Sequence, residues 1–366
     1  MNRLLLASLV LSAAVRTASG ADEGSWKKFT RPVSAPVISP NKRSVFMDPI
    51  SKKRVHWEAL HTFNPASIVR DGKLYVLYRA EDSSGEMKVG GHSSRLGLAE
   101  SKDGLHFTRL PAPVLYADDD AQRALEDPGG VEDPRIVEGE GGTYVLTYTQ
   151  WNHEKYTIGL ATSKDLRTWK KLGPIFAGQK GYEKRLYKSG GIVTELVHGK
   201  LTAAQLLGKY WMYWGEVEVH LASSPDLLHW TPVEEKPGVP LVLLAARKGM
   251  FDSGFPETGP PPLVTSRGIV MLYNAKNADG ADGDASLPAG GYSVGEALFA
   301  TGDPSKLLER HDEPVFKPAL PFERSGQYVA GTTFAEGLSW FKNKWWMYYG
   351  CADSFVGVAV SDDEMK

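Results

Sequence analysis

Ser67-Ile68-Val69-Arg70-Asp71-Gly72-Lys73-Leu74-Tyr75-Val76-Leu77-Tyr78-Arg79 contains two β-rich runs separated by Asp-Gly. Asp-Gly tolerates the left-handed backbone of a tight hairpin turn, so the stretch predicts a β-hairpin. The pattern recurs along the chain. Arg135 to Glu138 precedes Gly142-Thr143-Tyr144-Val145-Leu146-Thr147-Tyr148, and Gly208-Lys209-Tyr210-Trp211-Met212-Tyr213-Trp214 is a third copy. Leu263 to Tyr273 and Leu338 to Tyr349 complete the set. A second element follows several hairpins: Leu96-Gly97-Leu98-Ala99-Glu100-Ser101-Lys102-Asp103, Ile158-Gly159-Leu160-Ala161-Thr162-Ser163-Lys164-Asp165, and Val219-His220-Leu221-Ala222-Ser223-Ser224-Pro225-Asp226. Each is a strand leading into a turn whose Ser and Asp side chains bond the local backbone. Two such elements per unit make a four-stranded sheet, and five units at intervals of about 55 to 75 residues predict an all-β, five-bladed β-propeller. A β-sandwich with coincidentally similar hairpins is the competing architecture. No long amphipathic helical pattern interrupts the series. Residues 277–291, rich in Gly, Ala and Asp, read as a loop inside the fourth blade.

Composition narrows the class. The 366 residues carry a net charge of −2, 42 % apolar and 23 % charged residues, as in an ordinary globular protein. There is no basic field for nucleic acid and no polybasic membrane patch. Met1-Asn2-Arg3, an apolar run from Leu4 to Val15 and the small residues Ala18-Ser19-Gly20 read as a signal peptide over 1–20, too short to span a bilayer. Residues 21–366 then form one catalytic domain, exported to the periplasm or the extracellular space, with no membrane insertion after signal removal. The single Cys351 excludes an internal disulfide and sits in an apolar context that suits an inert buried thiol. No Cys and His occur at zinc-ligand spacing, so no metal and no cofactor are expected. No phosphate-binding Gly loop, dinucleotide fingerprint or nucleophile elbow is present. Ten Trp and fifteen Tyr serve mainly as core, with some available to stack on sugar rings.

In a propeller, loops at one end of the channel converge, so each repeat should offer polar residues just before its first hairpin strand. Phe63-Asn64-Pro65-Ala66, Gly130-Val131-Glu132-Asp133-Pro134-Arg135, Tyr187-Lys188-Ser189-Gly190-Gly191, Phe255-Pro256-Glu257-Thr258-Gly259 and Gly331 to Gly337 stand there. Hairpin ends add Tyr78-Arg79-Ala80-Glu81-Asp82, Gly215-Glu216, Tyr273-Asn274 and Ala352-Asp353. Glu132, Asp133, Glu216 and Glu257 supply the paired carboxylates that glycoside cleavage requires: an acid for the leaving oxygen and a base for water. Taken singly, each is equally well a loop-stabilising ion-pair partner. Arg79, Arg95 and Arg135 would balance the charge and donate to sugar hydroxyls.

At these residues the chain resembles glycoside hydrolase family 130, the β-mannoside phosphorylase and β-1,2-mannosidase family. The likeness runs from about Phe46 to Val360 and rests on Phe63-Asn64-Pro65-Ala66, Tyr78 to Asp82, Ser94-Arg95-Leu96-Gly97, Gly130 to Arg135, Gly259-Pro260-Pro261 and Tyr348 to Asp353. The resemblance implies a five-bladed propeller, inversion, and Asp133 as general acid. In the family's phosphorylases that proton is thought to pass through a sugar hydroxyl. It also implies that Asn64, Arg79, Arg95, Asp133 and Asp353 hold the mannose on the cleaved side. Asp82, Glu132, Arg135, Lys188, Tyr273 and Asn274 complete the expected substrate-binding set. Where the phosphorylases usually show Tyr-His-Gly, this chain has Tyr273-Asn274-Ala275, without the cation that phosphate wants. Glu216 and Glu257 stand where hydrolytic members carry the proposed base. The sequence therefore favours hydrolysis of a β-mannoside oligosaccharide or glycan. Phosphorolysis by the same fold, helped by Lys188 or Lys276, is the alternative, and a non-catalytic sugar-binding propeller is the second. Linkage, leaving-group sugar, exo or endo action and oligomeric state are left open.

Overall fold

The computed structural model describes residues 29–363, so the signal-peptide reading of residues 1–20 lies outside the described residues. The protein is all-β, with one α-helical turn at Arg123–Glu126 among the described residues. Its strands form five antiparallel groups. The first comprises His61–Arg70, Lys73–Asp82, Ser93–Ser101 and Thr108–Arg109. The second comprises Gly130–Glu138, Tyr144–Trp151, Tyr156–Ser163 and Lys170–Pro174. In the third, Gly190–Ile192, Lys209–Trp214, His220–Ser224 and Thr231–Pro232 pair in order. In the fourth, Phe255–Thr258 and Leu263–Thr265 share the strand Gly268–Lys276, followed by Tyr292–Ala300 and Asp303–Arg310. The fifth holds Thr333–Phe341, Lys344–Cys351 and Phe355–Ser361. Its last strand is joined by residues near the start of the described chain, where Thr30 and Val360 exchange two backbone hydrogen bonds of 2.8 Å.

Alternation along each strand puts apolar side chains on both faces of these groups, and each face is covered by a neighbouring group. Ile68, Leu77 and Leu98 of the first group pack with Ile136 and Leu146 of the second. Val145 and Leu160 meet Met212 and Trp214. Tyr213 and Leu221 meet Met271 and Phe299, and Val270 and Leu272 meet Trp345 and Met347. A further cluster joins Val358 and Tyr348 of the fifth group to Leu74 and Val76 of the first. Apolar burial therefore runs from each group to the next and from the last to the first.

A repeated cross-strand pair explains much of the periodicity. Tyr78 faces Gly97, Tyr148 faces Gly159, Tyr273 faces Gly295 and Tyr349 faces Gly357. The ring lies over the glycine so closely that an added Cβ would come within 2.4 to 2.6 Å of it. Each Tyr hydroxyl donates to a buried carboxylate, respectively Glu58, Glu126, Asp252 and Glu323. A basic side chain caps each carboxylate: Arg109, Lys171, Arg310 and Arg31. The third group departs, with Trp214 opposite His220 and the rings 4.6 Å apart. The Ser-Asp turns form as expected, for example with Asp103 Oδ1 accepting from the backbone N–H of Leu105 and His106.

Two expected substrate contacts are corrected here. Tyr273 is one member of the repeated Tyr set; it is fully buried beneath Asp252 and Arg310 and does not line the cavity where the carboxylates gather. Asn274 is also fully buried. Its Nδ2 donates to the Ala335 carbonyl at 3.0 Å and its Oδ1 accepts from the Ala335 N–H at 2.7 Å, strapping the fourth group to the fifth. The side chain is already committed, so its lack of charge does not bear on what the cavity binds. Asn274→Ala leaves both Ala335 backbone groups buried and unpaired. The expected loss is about 2–4 kcal/mol, or a Tm roughly 3–6 °C lower, checked by thermal and urea denaturation.

Candidate active site

Lys188 and Ser189 stand ahead of the third group's first strand as expected, and Glu257 lies in a regularly paired strand of the fourth. In the first, second and fifth groups the polar residues expected ahead of the first strand instead lie within it, on bulges. Pairing slips between Phe63 and Pro65, between Glu132 and Arg135, and between Ala335 and Gly337. The residues thrown out of register are Asn64, Asp133 and Glu336. A bulge re-aims a side chain without ending the strand, which lets a core strand present a polar group. Asn64 has φ 43°, Asp133 φ 47° and Asp353 φ 50°. Asn and Asp bear this left-handed conformation better than other side-chain-bearing residues, which accounts for their choice here. Neighbours must make room: a Cβ on Gly350 would meet Asn64 Oδ1 at 2.1 Å, and one on Gly130, at φ 97°, would meet the Ser94 carbonyl at 2.0 Å.

The bulges and the hairpin ends converge on a cavity of about 170 Å³. Asn64, Arg79, Glu132, Asp133, Lys188, Glu216, Glu257 and Asp353 all line it. These eight are sequence-expected residues brought together from different groups. Tyr292, Tyr328 and Phe334 add aromatic walls that sequence reasoning did not single out. Their edge-to-face contacts, with Tyr292 5.8 Å from Tyr328 and 5.9 Å from Phe334, leave a rigid surface suited to a pyranose face.

Two charge clusters organise the walls. In the first, Asn64 Nδ2 donates to Asp133 Oδ1 at 2.8 Å, and Arg79 Nη1 reaches the same oxygen at 3.1 Å. Arg79 Nη2 lies 2.6 Å from Glu81 and 2.8 Å from Glu132, and Arg79 Nε donates to Ser94 Oγ at 3.0 Å. In the second, Lys188 Nζ sits 3.3 Å from Glu216 and 3.5 Å from Glu257, while the Ser189 hydroxyl donates to Glu257. Burial raises Glu132, against the pull of Arg79, to about 7. Burial likewise raises Glu257 to about 7, with Lys188 opposing and Glu216 adding. Asp353 also rises to about 7 through burial, against Arg79. Burial alone would raise Asp133 too, but Arg79, Lys188, Arg135 and the Asn64 hydrogen bond hold it down to about 2. The two neighbours are thus pushed in opposite directions, Asp133 toward the ionised form and Glu132 toward the protonated one.

Three expected binding residues stand behind the cavity rather than on it. Arg95 is buried between Asp82, at 2.7 Å, and Asp48, at 2.8 Å, so both Arg95 and Asp82 are spent on each other and on the loop at Asp48. Arg135 donates to the carbonyls of Asp133, Thr258 and Gly259, at 3.0, 2.7 and 3.2 Å, tying the Asp133 bulge to the fourth group. Its Nη1 is also 3.1 Å from Glu336, a fully buried carboxyl pushed well above the carboxylate range by burial. Glu336 was missed because nothing in Thr333-Phe334-Ala335-Glu336-Gly337 distinguishes a bulge from a turn.

Three carboxyls with raised pKa give a directional pH effect. Between about pH 4 and pH 7 the native state holds more protons on Glu132, Glu257 and Asp353 than the unfolded chain does, so their burial lowers stability as pH rises through that window. Asp133 acts only below it. His61, held down to about 4 by burial, works in the opposite sense, so the test is a comparison of variant with parent. Glu257→Gln should flatten the fall in stability between pH 5 and 7 by up to about 1.4 kcal/mol per pH unit, measured by denaturation across that range.

The site can be set beside known proteins. Residues 34–365 match glycoside hydrolase family 130, described as beta-1,4-mannooligosaccharide phosphorylase. A 1,2-beta-oligomannan phosphorylase from Thermoanaerobacter sp. (strain X514) is 32 % identical over 318 residues, 86 % of this chain and 94 % of that protein. A crystal structure of a glycosyl hydrolase from Bacteroides ovatus is 49 % identical, covers 92 % of this chain and 94 % of its own, and superposes with a TM-score of 0.90. A further structure, described with glycoside hydrolases of the mannoside phosphorylase family that target beta-1,2 mannosidic linkages in Candida mannan, is 48 % identical over 92 % of this chain and 94 % of its own, with a TM-score of 0.90. By the extent of these matches, and with the Glu-Asp-Pro-Arg segment at its cavity, the chain belongs to glycoside hydrolase family 130.

Proposed function

We propose that this chain is a five-bladed β-propeller enzyme that cleaves β-1,2-linked mannosides with inversion, using water as the acceptor. Five antiparallel groups whose apolar clusters connect each to the next, and the fifth to the first, support the propeller. Asp133 is the proton donor. Its partners hold it toward the ionised form in the free site, so it takes up a proton, with Glu132 as the neighbouring source, once sugar hydroxyls compete for Asn64 and Arg79. Glu257 or Glu216 then deprotonates water, and Lys188 keeps one of the pair charged. The apolar run of residues 4–15 supports action after export.

The observation that carries the choice of water is the charge on the cavity wall. Glu132, Asp133, Glu216, Glu257 and Asp353 are five carboxyl groups against two cations, Arg79 and Lys188. Each cation is already paired, so a phosphate dianion would find no free cation and would meet a wall that gains negative charge as Glu132, Glu257 and Asp353 lose their protons near pH 7. Phosphorolysis is the second reading. The family description and the curated relatives are phosphorylases, and by those names it is the better supported of the two. Within the site, Lys188 favours it, as a cation on the wall that could turn from Glu216 and Glu257 to a phosphate oxygen.

Incubation with β-1,2-mannobiose, with and without inorganic phosphate, separates the readings. Mannose released at the same rate in both conditions, first as the α-anomer by NMR, is the expected result. An absolute need for phosphate, with mannose 1-phosphate as product, would establish the second reading instead. Asp133→Asn should lower kcat by about 10²–10⁴-fold while the fold is retained.

A further inference from the structure

Behind Arg79 lies a group of side chains that the cleavage chemistry does not use. His61 and Glu81 are directly opposed across the first two strands of the first group, and Glu81 is in turn opposed by Ser94, two residues beyond His92. One donor atom from each of His61, Glu81 and His92 lies within 4.8 Å of the others. Glu81 is 1 % exposed and His92 is 3 % exposed. Glu81 Oε1 is held by Arg79, but Glu81 Oε2 is buried with no hydrogen-bond partner, and so is His92 Nδ1. His61 Nδ1 meets Ser354 Oγ at 2.9 Å, which fixes the ring and leaves its other nitrogen for the cluster.

We propose that His61, Glu81 and His92 bind one divalent transition-metal ion, with zinc as the best match. Two imidazoles and a carboxylate suit zinc, which takes His nitrogen and Glu oxygen at about 2.0–2.2 Å and completes its shell with water. The donors lie within 4.8 Å of one another, against an edge of about 3.3 Å for such a tetrahedron, so small rotations of the two rings suffice to close on an ion. The ion would satisfy Glu81 Oε2 and His92 Nδ1 together. Its charge is tolerable beside Arg79 because Asp133, held toward the ionised form, and Glu81 both face that guanidinium. By anchoring Glu81 the ion acts as a positioning element: Glu81 orients Arg79, and Arg79 holds Asp133. The ligands are separated by twenty and eleven residues along the chain, so no compact motif announces them.

The test is zinc binding by the full chain, independent of turnover. Protein stripped with a chelator and dialysed is titrated with Zn²⁺ by calorimetry, and metal content is measured by mass spectrometry. One equivalent per chain is expected, with Zn²⁺ raising the Tm. His92→Gln and His61→Gln, each checked for native circular dichroism, should weaken binding at least tenfold and abolish the Tm rise. Co²⁺ in place of Zn²⁺ should give a visible ligand-field band that His92→Gln removes. No binding by the parent chain, or binding and a Tm rise unchanged in both variants, would overturn the proposal. Neither result depends on whether water or phosphate is the acceptor.

Discussion

The buried guanidinium of Arg79 is the constraint around which the site is built. It contacts Glu81, Glu132 and Asp133 at 2.6, 2.8 and 3.1 Å and is 7 % exposed. Taking such an ion from water costs on the order of several kcal/mol, offset only when several well-placed partners share the charge. Those partners are what make adjacent acids differ. Asp133 is held down, despite its burial, by Arg79, Lys188, Arg135 and Asn64; Glu132 is pushed up by burial, with Asp133 and Glu81 adding to it against Arg79. The phenyl ring of Phe63, 4.6 Å below the guanidinium, closes the remaining side and keeps the cluster dry. Two neighbouring carboxyls pushed apart in this way are the usual basis for dividing acid and base roles.

That cluster needs a frame that does not yield, and the repeated Tyr-Gly pairs supply it. In four of the five groups an aromatic ring lies over a glycine and ties to a buried carboxylate capped by a basic side chain. Each of these four groups therefore carries its own ion pair away from the cavity. The bulges at Asn64, Asp133 and Glu336 are cut into strands that otherwise keep regular register with their antiparallel partners. Asn274 and Arg135 then bind neighbouring groups through backbone groups, at Ala335 and at Thr258 and Gly259. Rigid strands hold catalytic groups more exactly than loops do, which suits a site whose function depends on the separation of charges.

The second charge cluster is where the two acceptors, water and phosphate, would meet the protein differently. Lys188 lies between Glu216 and Glu257, with Glu257 fixed further by Ser189. In this arrangement the lysine is a counter-ion that lets two carboxylates coexist near the reacting centre. The same cation is what a phosphate would require, so the two members of the family's chemistry differ here by how one side chain is paired. Family membership by itself does not decide between them, since the chain matches both phosphorylases and structures described as hydrolases.

How much of this was legible in the sequence follows from the range of the forces involved. Hairpins, Ser-Asp turns and their recurrence are local, written in turn residues and alternation, so an all-β repeat could be read directly from stretches such as Ser67 to Arg79. The carboxylates and cations of the cavity were legible as well, because they stand at equivalent points of successive repeats. Tyr273, Asn274, Arg95, Asp82 and Arg135 also stand at such points, yet they face one another or the backbone. Sequence alone determined the element types and the supply of acidic groups. Tertiary structure alone decided which side chains face the cavity and which acid keeps its proton, because a bulge of one residue reverses a side chain's direction and a pKa depends on partners far away in the chain.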